Sequence, residues 1–508
     1  MTATTPTSAD RTGFWVLFAT ILASSMAFID SSALNVALPA LQADLQASGA
    51  DLLWINNAYS LILAALILVG GALGDRFGRK RVFTLGIGLF AAASLLCGLA
   101  PSSALLIGAR ALQGIGGALM VPGSLALISA YFSAEERGRA IGTWSAFSTI
   151  TTILGPGLGG LLAAAGLWRL VFFINLPLAA AALWALIRYV PESRDPAARQ
   201  LDYPGALLAT LGLAGLTYGL IEGPGQGWLS PLVLLALVGG VGGLVGFVAV
   251  EARSREPMLP LGLFRSPVFS GTNLLTLFLY AALYGMLFFL PLNLIQVQGY
   301  NEALAGIASL PMALILALLA RWAGGLADRF GPRLPLIIGP GLAGLGFALY
   351  ALPGLTTGPG EYWTSFFLPI VVLGLGMAIT ITPLTAAVMG SVEPSRSGVA
   401  SGVNNAVSRT AGVLALAVLG LVALTSFGEA LGRRGAEQGL STTTQAALVA
   451  QAPLLAGAVP PLGLSPTEEQ AARMTIRLAF VDIFRLLASI AAGLAWISAG
   501  VAAWVLRK

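Results

Sequence analysis

Apolar runs of about 20 residues recur from one end of this chain to the other, each long enough to cross roughly 30 Å of hydrocarbon as a helix. They exclude a water-soluble fold. Only 10% of the 508 residues are charged and 57% are hydrophobic, against about 25% charged in ordinary soluble domains. Divided at charged and turn-forming positions, the chain predicts fourteen spans, near 14–38, 53–73, 82–100, 104–128, 140–165, 169–189, 203–222, 231–250, 268–292, 304–325, 335–353, 363–388, 398–425 and 475–505. An even number puts both termini on one side. The first run follows Arg11 as a cleaved signal peptide would. However, it continues to Pro39, contains Asp30 and precedes many further spans, so it reads as retained.

Lys and Arg set the orientation. With the N-terminus cytoplasmic, the loops on its side carry eighteen of them, and the opposite loops carry only Arg169, Arg433, Arg434, Arg473 and Arg477. Residues 1–13 are then a cytoplasmic tail, and both termini lie inside. The net charge of +5 is scattered over short turns, which implies a topology signal and no nucleic-acid groove. The bias to Arg over Lys, with much Ala, Gly and Leu, suggests a GC-rich bacterial genome and so the cytoplasmic (cell) membrane. The Gly-, Thr- and Pro-rich segment 426–474 reads as a long mobile outer loop.

An internal repeat organises the spans. GALGDRFGRK begins at Gly71 and GGLADRFGPR at Gly324; six of ten positions match, 253 residues apart. Each copy falls in the turn after the second span of a six-span unit. The expected fold is therefore an all-α integral membrane protein with an N-terminal six-helix bundle (14–190), two inserted central helices (203–250) and a C-terminal six-helix bundle (268–505), the bundles related by a pseudo-two-fold axis. Parallel repeats of this kind rock about a central site.

Several motifs sit on this frame in order: FIDSSALNVALP (Phe28 to Pro39), WINNAY (Trp54 to Tyr59), GALGDRFGRKR (Gly71 to Arg81), RALQGIGGA (Arg110 to Ala118), GPGLGG (Gly155 to Gly160) and WRLVFFINLP (Trp168 to Pro177). Together they resemble the major facilitator superfamily, specifically its fourteen-span drug:proton antiporter branch. The resemblance implies the major facilitator fold and proton-coupled efflux of amphiphilic compounds by alternating access. It also implies a protein that usually works as a monomer.

Each motif also has a physical reading. Gly71, Gly74 and Gly78 suit a tight turn between helix ends, with Asp75, Arg76 and Arg79 beside them. Asp75 could dock on the N-terminus of the thirteenth span near Ser397, and Asp328, with Arg329, could do the same at the fifth. That would make a cytoplasmic latch; the plainer reading is that these charges only hold topology. Gly155, Gly157 and Gly160 match a GxGxxG dinucleotide template, but no strand precedes them. With Pro156 and Gly159 they read as a close-packing, kinkable helix.

Asp30 lies roughly 24 Å into the first span and Arg110 roughly 10 Å below the far end of the fourth, at similar depth. Gln113 is one turn further along the face of Arg110. An intramembrane carboxylate is costly and faces a cavity or a partner. Asp30 could therefore carry the coupled proton, with a cationic substrate competing for it; the alternative is a static Asp30–Arg110 pair. Asn35, Tyr59, Asn404, Asn405 and Arg409 join the candidate substrate and proton site, with Glu222 at the outer end of the seventh span. Asp482 and Arg485, three residues apart, read as neutralising each other. The tenth and thirteenth spans carry Arg321 and Arg409 and no acid, which weighs against dication export. Monocationic, neutral, zwitterionic and lipid-like substrates stay open.

One proton entering across 100 mV releases roughly 2.3 kcal/mol, enough for about a fifty-fold gradient. The chain shows no P-loop, and with no His and the lone Cys97 it offers no metal cluster. The expected cofactors are none beyond the proton-motive force. A symporter or facilitator of a polar or lipid-like solute is the transport alternative. An enzyme is not expected: ALGD (Ala72 to Asp75) lacks the first Gly of an intramembrane GxGD protease motif.

Overall fold

In hydrocarbon every backbone donor and acceptor must pair within its own segment, so apolar runs become helices. The computed structural model describes residues 8–194, 202–254, 257–393 and 397–506. The first five helices are α1 (Ser8–Leu45), α2 (Gly49–Phe77), α3 (Arg79–Leu99), α4 (Ser103–Tyr131) and α5 (Ala134–Ala164). The sixth span is broken into α6 (Leu170–Phe173) and α7 (Asn175–Tyr189), and α8 (Tyr203–Gln226) and α9 (Pro231–Arg253) form the inserted hairpin. Then come α10 (Pro267–Leu292), prolonged by a π turn Asn293–Val297, α11 (Glu302–Ala308), α12 (Leu310–Phe330) and α13 (Arg333–Tyr350). The chain ends with α14 (Tyr362–Ser365), α15 (Phe367–Gly390), α16 (Ser397–Glu437), α17 (Thr442–Ala450) and α18 (Pro466–Val505).

Local chemistry sets the ends. Ser48 and Asp51 form a reciprocal capping box at the start of α2, at 3.1 and 2.9 Å. Ser102, Ser266 and Asn301 cap α4, α10 and α11 in the same sense. Gly78 joins α2 to α3 at φ 114°, a conformation side chains avoid. Its Cβ would also collide with the Glu192 carboxyl.

Helices α1 to α7 form one bundle and α10 to α18 the other; α8 and α9 pack together beside α2 and α16. The same close approach recurs in both bundles. Gly116 of α4 lies against Gly86 of α3, and Gly376 of α15 against Gly339 and Ala343 of α13. Small residues let helix backbones meet where apolar lipid offers no other driving force.

Thirteen helices among the described residues are long and apolar enough to span. The remaining expected span is α5, 31 residues long, whose apolar part among the described side chains is Leu154–Ala164. With α5 counted as a crossing, Ser8 and Leu506 fall on one face, here the terminal face, opposite the far face.

Two expectations are corrected. The 426–474 segment is not one long loop: α16 runs on to Glu437, α17 and a 3₁₀ turn Ala452–Gly457 follow, and α18 begins at Pro466. Polar contacts hold this cap, with Glu468 accepting from Ser441 and Thr444 at 2.8 and 2.7 Å. Nor does Asp482 neutralise Arg485. Asp482 pairs with Arg433 and Arg434 at 2.9 and 2.7 Å, and Arg485 donates to the carbonyls of Leu352 and Pro353. Neighbouring helix ends reach these groups more easily than they reach each other along α18.

Candidate functional site

Asp30 is sealed inside the first bundle. Its side chain and that of Arg110 are buried, and Arg110 Nη1 donates to Asp30 Oδ2. The guanidinium is fixed by further bonds, from Nε to the Ile55 carbonyl on α2 at 3.1 Å and from Nη1 to Gln113 Oε1 at 2.6 Å. Gln113 turns its amide nitrogen to Asp30 Oδ1 at 2.8 Å and to Ser94 Oγ on α3 at 2.8 Å. Asn175, the first residue of α7, donates to Ser94 Oγ at 3.1 Å and to Asp30 Oδ1 at 3.4 Å. Five helices thus converge on one carboxylate. A buried ion pair survives only when its lone pairs and protons find partners; here both carboxylate oxygens accept, and Nε and Nη1 of Arg110 donate.

Aromatic rings close the site. Arg110 lies over the Tyr59 ring at 4.5 Å and the Phe172 ring at 5.9 Å, which offers a cation the negative face of each ring. Tyr59 is buried, and Arg409 stands on α16 of the second bundle. Arg409 itself is half-buried, and its Nε is shielded from solvent without a hydrogen-bond partner.

The structure brings together Asp30, Arg110, Gln113 and Tyr59. It places the other candidates elsewhere. Asn35 accepts from Asn56 at 2.8 Å. Glu222 accepts from Trp54 and Gln226 at 2.9 and 3.0 Å, which ties α8 to α2. Asn404 donates to Asn273 and Thr276 of α10 at 3.1 and 2.7 Å, whereas Asn405 is exposed and donates to the Ser401 carbonyl on its own helix. The sequence reading did not make Ser94, Asn175 or Cys97 candidates for this site; the Cys97 thiol donates to Gln113 Oε1 at 3.7 Å. Each is a polar residue inside an apolar run, a weak signal for small side chains that bond their own backbone as readily.

The loop residues pair locally. Arg79 Nε donates to Asp75 Oδ1 at 2.8 Å, Arg76 lies over the Phe77 ring at 5.4 Å, and Asp75 stays 39% exposed. The N-terminus of α3 is capped instead by Glu192, which accepts from the Lys80 and Arg81 amides at 2.9 and 3.1 Å. Gly74 closes α2 by accepting from the Gly78 amide at 3.0 Å, and Gly71 has room. Arg329 is exposed at the end of α12; the side chains of Asp328 and Ser397 lie outside the described residues.

The glycine motif on α5 has two working faces. Gly155 and Gly159 press on Ser32 and Ala33 of α1, while Pro156, Gly157 and Gly160 press on α11 of the other bundle. A Cβ on Gly160 would sit 2.2 Å from the Glu302 carbonyl oxygen, and one on Gly306 would sit 2.3 Å from that of Pro156. The two bundles therefore meet tightly near the far face.

Comparison with known proteins agrees with this architecture. Residues 20–416 match the family model of the Major Facilitator Superfamily. The chain is 34% identical over 506 residues to a tetracenomycin C resistance and export protein of Streptomyces glaucescens, covering 98% of this chain and 93% of that one. It is 37% identical over 417 residues to the multidrug resistance protein Stp of Mycobacterium tuberculosis (81% and 76% covered) and 35% over 416 residues to the puromycin resistance protein pur8 of Streptomyces alboniger (81% and 82%). Among solved structures, a bacterial homologue of the human lysosomal transporter Spinster shares the fold at TM-score 0.64 and 19% identity, covering 97% of each chain. A family match over most of the chain, on two packed bundles and an inserted hairpin, makes this multi-pass membrane protein a member of the Major Facilitator Superfamily.

Proposed function

We propose that this chain exports amphiphilic small molecules across the cytoplasmic membrane in exchange for protons, with both termini inside. The observation that carries the reading is the buried Asp30–Arg110 pair, held by Gln113 and Asn175 in one bundle while the bundles close against each other near the far face. The positive charge of the loops makes the terminal face cytoplasmic, so this arrangement is closed to the outside. Protonating Asp30 would remove one charge of the pair and free Arg110 to repack against Tyr59 and Gln113. A buried pair with two arrangements is the element a proton can bias. The resistance and export relatives support the direction of transport and the drug-like cargo.

The remaining parts follow from the same reading. Asp75 and Arg79, paired in their own turn, would re-pair across the bundles when the inner side closes. The reading requires no nucleotide or metal, and one chain suffices. Neither of the other transport modes is favoured by a contact here.

The test is purified protein in liposomes with an imposed pH gradient and a trapped pH dye, challenged with lipophilic cations, neutral drugs, zwitterions and acids. Wild type should release protons on substrate addition, and Asp30→Asn should not. Equal substrate movement by both proteins, with no proton signal, would make Asp30 structural and the protein a facilitator.

A further inference from the structure

Charge in the middle of the spans is unevenly shared. Among the described residues the charged side chains there are Asp30, Arg110 and Arg409. The first two cancel within a sealed network whose hydrogen bonds already occupy both carboxylate oxygens. Arg409 has no such partner. It forms no ion pair among the described residues, and its Nε is buried and unbonded.

Its position is set by its neighbours on α16. A Cβ built on Gly402 would lie 3.7 Å from Leu68, Ala406 packs on the first bundle, and Val413 packs with Leu61, Ala64 and Ala65, so this face of α16 meets α2. Arg409 is between Ala406 and Val413 on that face, about 18 Å along the helix. It therefore stands at the seam between the bundles. An unpaired cation at this depth is expensive unless it faces a polar cavity or an anionic ligand.

We infer that the central site takes an amphiphile carrying an oxyanion, a carboxylate or a phenolate, and that Arg409 is its anchor. The inference rests on the transport reading above and deepens it. A fixed-charge cation would find no open carboxylate at the seam and would meet a net positive field. An oxyanion would complete the guanidinium's hydrogen bonds in the paired geometry that favours Arg over Lys.

The experiment uses full-length protein in nanodiscs of zwitterionic lipid and two probes, a pyrene alkyl chain ending in carboxylate and the same chain ending in trimethylammonium. Saturable binding is measured to wild type, Arg409→Gln and Arg409→Lys. Wild type should bind the carboxylate at least about ten-fold more tightly than the ammonium probe. Arg409→Gln should erase that ratio by weakening the carboxylate alone by roughly ten-fold, about 1.4 kcal/mol, and Arg409→Lys should keep part of it. A wild type that prefers the ammonium probe, or an Arg409→Gln that leaves the ratio unchanged or weakens both probes alike, overturns the inference. Failure of proton antiport shows separately in the pH-dye assay: there the carboxylate preference would persist with no coupled proton movement.

Discussion

Gln296 donates from its amide nitrogen to Gln42 Oε1 at 2.7 Å, across the two bundles. The residues are 254 positions apart, within one of the 253-residue offset of the internal repeat. Near-equivalent positions of the two repeats thus bond each other close to the far face. Gln42 also donates to the Leu454 carbonyl at 3.0 Å, in the cap between α17 and α18. One buried side chain ties together both bundles and the cap. Gln42→Ala removes both bonds, each about 1 kcal/mol, and should favour the state open on the far face by roughly thirty-fold. External labelling of a cysteine at Ser31 reports this; a rate equal to that of the parent would show that the bridge is not a gate.

Wedging the same face should drive the same opening by steric force. A Cβ cannot fit at Gly160 or Gly306 without moving the Glu302 or Pro156 backbone. Gly160→Val should abolish transport, raise far-face labelling and leave the protein folded, since the strain sits between bundles and not within one. A fully active Gly160→Val would show that α5 and α11 need not meet.

Much of this was legible in the sequence, and the reason is physical. Thirteen of the fourteen expected spans are helices long and apolar enough to cross, because the bilayer enforces apolar length on each. Asp30, Arg110 and Gln113 stood out because a polar group in an apolar run is costly. Asn175 and Ser94 did not, because a small polar residue can satisfy itself within its own helix. Asp75 was expected to reach the start of the thirteenth span with Arg79 as its partner; here it pairs with Arg79, and Glu192 caps a separate helix end, that of α3. Which partner a surface charge finds depends on the conformational state, and the chain's spacing does not encode that. The cap at 442–457 was hidden by its Gly and Pro content, which resembles a loop until Gln42 and Glu468 give it contacts.

Glu192 offers a test confined to the terminal face. Its carboxylate meets the first amides of α3, where the helix dipole favours an anion. Glu192→Gln should lower thermal stability in detergent by about 1 kcal/mol while proton-coupled transport survives. Unchanged stability would mean that water caps α3 equally well.

The buried pair makes the sharpest demand. Removing Arg110 strands the Asp30 carboxylate among Gln113, Asn175 and apolar walls, and stranding one member of a buried pair costs about 3–5 kcal/mol. Arg110→Gln should therefore unfold at markedly lower temperature than wild type. Removing both charges takes away the penalty, because an Asn at 30 and a Gln at 110 can bond each other and Gln113. The double variant Asp30→Asn, Arg110→Gln should recover most of the lost stability and yet show no proton-coupled transport. Thermal unfolding of the four proteins in one detergent gives the coupling energy directly. A double variant no more stable than Arg110→Gln would mean that the pair contributes little and that packing around Tyr59 and Phe172 holds the site.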